Sequence, residues 1–197
     1  NFTTKSGLPG LAFLAGIGTF TQAETLVLSP TDDSYIRASQ SNQGSNDLAI
    51  VGDTATPEDY LRAAFAFDLS APELEGATID SVTLTLTVDG RDTSSGGSAD
   101  ATSLIDLHEL LASFTNSGVT WTSRDGTNDW TTPGGDFGAS LASLSANAGT
   151  VSAGAKLNFS SGDLRSVTQN ALDGSGALYL LTKLRTEDAD RSVFRFA

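Results

Sequence analysis

Between Val82 and Val88 the chain reads Val-Thr-Leu-Thr-Leu-Thr-Val, a strict alternation of apolar residues and threonine. Side chains of an extended chain point to opposite faces in turn, so Val82, Leu84, Leu86 and Val88 share one buried face while the threonines meet water. No helix tolerates that period. The spacing therefore predicts a long strand over residues 79–88, buried on one side, and such a strand needs antiparallel partners.

The rest of the chain supplies them. Extended segments are expected over residues 25–30, 33–37, 48–53, 61–69, 104–110, 156–159, 176–184 and 192–196. Within 61–69, Phe65 and Phe67 face the core. Gly/Ser/Asn-rich stretches at 39–47 and 89–100 read as surface loops. Residues 138–154, built of Ala, Ser, Gly and Leu, carry little local signal. Residues 164–172 place Leu164, Val167, Ala171 and Leu172 at helical spacing and predict the one helix. About ten strands with at most one short helix indicate an all-β fold, a two-sheet antiparallel β-sandwich of jelly-roll type. No linker or internal repeat divides residues 24–197, which are read as a single domain.

Acidic residues outnumber basic ones 24 to 11, for a net charge of −13. A surface of that sign repels nucleic-acid phosphates and anionic lipid, so neither is expected as a partner. The absence of cysteine excludes disulfides and thiolate metal sites, and the single histidine, His108, excludes multi-histidine sites. His108 lies in Leu104-Ile-Asp-Leu-His-Glu-Leu110, where alternation puts it on the polar face as a structural residue.

Residues 1–23 carry Lys5, an apolar run from Leu8 to Ile17, and the small-residue pattern Thr21-Gln-Ala23. Two readings stand side by side. The run is too short to span a bilayer and fits a secretory signal. Retained, it would be an extended strand able to complete a sheet in a neighbouring copy, with Leu11, Phe13, Leu14, Ile17 and Phe20 as the joining residues. Either way the chain is expected to be exported, to the cell exterior or surface.

A second distinctive stretch is Val119-Thr-Trp-Thr-Ser-Arg-Asp-Gly-Thr-Asn-Asp-Trp-Thr-Thr-Pro-Gly-Gly-Asp-Phe137. It is too turn-rich for a helix and too aromatic for a linker. With Asp33-Ser-Tyr-Ile36, Asn42-Gln-Gly44, Leu48-Ala-Ile-Val-Gly52, Arg62-Ala-Ala-Phe-Ala-Phe-Asp-Leu-Ser70 and Gly76-Ala-Thr-Ile-Asp-Ser-Val-Thr-Leu-Thr-Leu86, it resembles the DNRLRE-type β-sandwich domains, a group that includes carbohydrate-binding module family 96. The likeness covers about residues 24–137; beyond 138 it rests on the order of elements. It departs from the family pattern in lacking a Trp after the long loop and in stopping at Val193-Phe-Arg-Phe-Ala197, one strand short.

That resemblance implies an extracellular adhesive or structural domain. An apolar N-terminal segment to spare and a missing terminal strand are what head-to-tail strand donation requires, so the first expectation is a fibre or cell-surface matrix subunit joined to copies of itself. The alternative is a secreted carbohydrate-binding module, with Trp121 and Trp130 as a stacking platform for a polysaccharide. Both tryptophans equally suit a structural role, pinning the loop to the sheet. Asp32, Asp33, Asn42 and Asp47 supply oxygen ligands suited to calcium, without the spacing of an EF-hand loop. Catalysis has little support: Asp106 and Glu109 could pair as in a glycosidase, but no nucleophile elbow, phosphate loop or dinucleotide fingerprint is present, and no catalytic residue is assigned.

Overall fold

The structure, a computed structural model, describes residues 2–5, 24–39, 49–91, 102–187 and 191–197. The strands are β1 (Phe2–Lys5), β2 (Glu24–Leu26), β3 (Asp32–Arg37), β4 (Ala49–Asp53), β5 (Tyr60–Asp68), β6 (Thr78–Val82), β7 (Leu84–Arg91), β8 (Thr102–Leu110), β9 (Phe137–Asn147), β10 (Lys156–Phe159), β11 (Ala177–Leu184) and β12 (Val193–Phe196). One α-helix, α1 (Gly162–Asp173), and a 3-10 turn at Pro72–Leu74 accompany them. Every strand pair is antiparallel. The chain is thus all-β, as its alternation predicts.

The strands do not lie in two simple layers. A nine-stranded sheet runs β10-β7-β12-β4-β5-β11-β8-β9, with β3 on the other edge of β5, and a small sheet runs β2-β1-β6. The large sheet curls until its end strands β9 and β10 come alongside each other, a nearly barrel-like closure. β5 is the joint of the curl. It pairs with β11 along Ala63–Asp68, then with β4 at Tyr60 and Leu61, while β3 covers its far side.

The segment read as one strand over 79–88 is divided. Val82, Leu84, Leu86 and Val88 are all buried, as expected. At Thr83, however, the hydrogen-bond partners change: β6 pairs with β1, whereas β7 pairs with β10 and β12. Alternation reports only which face is buried, so it cannot reveal a change of sheet.

The low-complexity region holds the longest strand, β9, paired with β8 from Thr102↔Asn147 to Leu110↔Phe137. A register shift opposite Leu107 and His108 explains why it was illegible. An extra residue there puts Leu141 and Leu144, three apart, against the same core, and three-residue spacing mimics a helix.

Helix α1 begins at Ser161, whose hydroxyl accepts the Leu164 N–H at 2.9 Å. Leu164 and Thr168 are buried against the core. Gln169 accepts the Ile79 N–H at 2.8 Å and donates to the Ala77 carbonyl at 3.2 Å, so α1 satisfies the free edge of β6.

The interior of the curled sheet is apolar, with Phe65, Phe67, Ile105, Leu107, Phe159 and Phe194 among its buried members. At the rim, Asp59 ties the 54–59 turn to β3. Burial by itself would raise its carboxyl, but hydrogen bonds from Arg37, Ser39 and Thr54 outweigh that and hold it at about 2. A carboxylate whose folded pKa lies below its unfolded value of about 3.9 stabilises the fold above that value and loses the contribution as pH falls toward 2. We expect about 2 kcal/mol of stability to disappear between pH 5 and pH 2 through this group. In urea titrations the slope over that window should be shallower for Asp59→Asn; an unchanged slope would remove Asp59 as its source.

Candidate functional site

Residues 111–136 fold over the outer face of the sheet. Phe114, Val119 and Trp130 are buried there against Ile36, Ala64, Ala66, Leu110 and Leu181, forming a second, smaller core. The turn chemistry read from the sequence holds this segment in shape. Asp125 accepts the Thr127 and Asn128 amides at 2.9 and 2.7 Å, and Asp136 accepts those of Thr131 and Thr132 at 2.9 and 2.8 Å. Backbone and side-chain hydrogen bonds from Asn128 and a backbone bond from Thr127 hold the Asp125 carboxyl down at about 2.

Trp130 is 5% exposed, and its indole N–H donates to the Thr120 carbonyl at 3.0 Å. Its ring faces are used up in packing, so it offers no open surface for a sugar. Trp121 is half-buried, with the Arg62 guanidinium 4.6 Å from its ring and Tyr60 at 6.1 Å. Its carbonyl accepts the Gly134 amide at 2.6 Å. Trp121 and Trp130 therefore fasten the loop to the sheet rather than forming a shared platform.

The residue that organises this layer, Arg62, was not singled out from the sequence. It sits near the start of β5, as its third residue, and is nearly buried. It makes a paired hydrogen bond to Glu187 at 2.8 and 2.7 Å, donates to the Gly134 carbonyl at 3.0 Å, and lies between Trp121 and Phe137. Lys183 stands 3.6 Å from Glu187, and burial lowers its pKa. An arginine inside an otherwise apolar strand was the available signal, because such a charge requires a partner.

His108 differs from its expected setting. It is on the outer face but buried, its Nδ1 2.9 Å from the Gly138 carbonyl and its ring 4.8 Å from Phe137. β9 covers it, which local alternation does not record. Asp106 is engaged by Arg185 and Ser143. Burial pushes its carboxyl up, and those bonds more than reverse the effect. Glu109 pairs opposite Leu180, while Asp106 pairs opposite Lys183, so the two carboxylates leave β8 on opposite faces and do not form a facing pair.

Asp32 and Asp33 are likewise separated. They pair with Ala66 and Phe65 of β5 and point to opposite sides of the sheet, so β3 does not bring them to one ion. Asn42 and Asp47 lie outside the described residues. Among the described residues, no group of three or more His, Asp or Glu is placed to hold a metal.

A largely apolar groove of about 350 Å³ reaches the main core. Residues 27–30 and 82–86 line it together with Phe65, Phe67, Leu178, Leu180 and Phe196, and Asp33 adds one carboxylate to the lining. That volume falls within the ~300–1,000 Å³ of ordinary ligand pockets. The expected first strand over 25–30 explains the opening: only Glu24–Leu26 pairs, and the chain then leaves the sheet with Val27 68% exposed. Pro30 has no N–H to donate to a ladder. The joining residues expected from the sequence, Leu11, Phe13, Leu14, Ile17 and Phe20, lie outside the described residues.

Fold and groove together define an antiparallel all-β domain whose core is accessible from one side. Compared with family models and with curated proteins, the chain matches none. Among the described residues, no helix is long and apolar enough to cross a membrane.

Proposed function

We propose that this protein is a structural subunit of an extracellular fibre or cell-surface matrix, each copy joined to the next by its apolar N-terminal segment. The observation that carries this reading is the groove. It is apolar, opens into the main core, and is flanked by backbone that has left its sheet, which is what an extended strand from outside needs. The chain contains a matching segment. In extended form Leu11, Phe13 and Ile17 share one face with Ala15, while Leu14 and Phe20 fall on the other with Ala12, Gly16 and Gly18. Bulky apolar residues on both faces suit a strand buried between two layers.

The likeness to DNRLRE-type domains, resting on the residues quoted above, is consistent with an exported adhesive or structural role. Packing of both tryptophans within the loop makes a polysaccharide platform the weaker reading.

Purified protein with residues 1–23 verified by intact mass should form regular filaments in negative-stain electron microscopy. Removing residues 1–23 should leave isolated particles. Isolated particles from the intact protein would refute the fibre, and filaments from the shortened protein would refute the N-terminal segment as connector.

A further inference from the structure

We draw no further inference here: the strongest candidate, the largely apolar groove between residues 27–30 and 82–86 with the Asp33 carboxylate in its lining, belongs to the site already described, and nothing among the described residues shows what else would cover it.

Discussion

Replacing Arg62 by Ala is expected to cost about 3–5 kcal/mol of stability, the penalty for leaving one member of a buried ion pair alone. Glu187 would lose both of its short hydrogen bonds, and the Gly134 carbonyl would lose its donor. Lys183, 3.6 Å away, is a partial substitute only, because burial already disfavours its charge. The Trp121 ring would lose the cation above it, a further contribution of about 0.5–2 kcal/mol in a desolvated setting. The loss should be local as well as global: the 111–136 layer should loosen before the sheet melts. Urea denaturation followed by tryptophan fluorescence and by far-ultraviolet circular dichroism would detect it as two transitions that no longer coincide. Arg62→Met combined with Glu187→Gln should be milder than Arg62→Ala, since removing both charges leaves no buried ion unpaired. A loss below about 1 kcal/mol for Arg62→Ala would mean that the guanidinium is solvated and the layer is held by its apolar contacts alone.

Gly52→Ala should be comparably damaging for a different reason. Gly52 lies in β4 between Leu61 of β5 and Val193 of β12, where the two halves of the curled sheet meet. A Cβ there would overlap the Ser192 carbonyl oxygen and lie 2.8 Å from the Val193 Cα. Those are backbone atoms, so no rotamer change can relieve the clash. Ser192 is also held by Asp53, which accepts its amide at 3.0 Å, and by a 2.8 Å hydroxyl contact with Ser103. β12 would have to shift, exposing Phe194 and Phe196. A destabilisation of about 3 kcal/mol or more is expected for such overpacking. Hydrogen exchange should show β12 and β4 losing protection first. Unaltered protection in the variant would mean that β12 can slide without losing its register.

Much of the fold was readable because burial on one face writes a period of two into the chain. The threonine-alternating run of β7 carries that period clearly, β5 shows it only as alternating large and small residues because both its faces are buried, and α1 carries the helical one. β9 was not readable: serine and alanine give weak contrast, and its register shift breaks the phase on which alternation depends. In the outer layer, the turn residues of 119–137 were legible from their chemistry, because Asp, Asn and Gly act on their own near neighbours. Arg62 was passed over, since its partner Glu187 is distant in sequence and brought close only by β5 and β11 pairing. The separation of Asp32 from Asp33 was available from the strand period alone. The burial of His108 was not, because β9 supplies it.

By itself the sequence determined the all-β class, the faces of the strong strands, the acidic charge and the absence of thiol chemistry. All of these are properties of composition or of residues a few positions apart. The tertiary structure decided the rest: the change of sheet at Thr83, the curl that brings β9 beside β10, the ion pair at Arg62, and the groove left where residues 27–30 leave the sheet. Each depends on which distant backbone or side chain arrives as a partner, and periodicity records that a face is covered without recording what covers it.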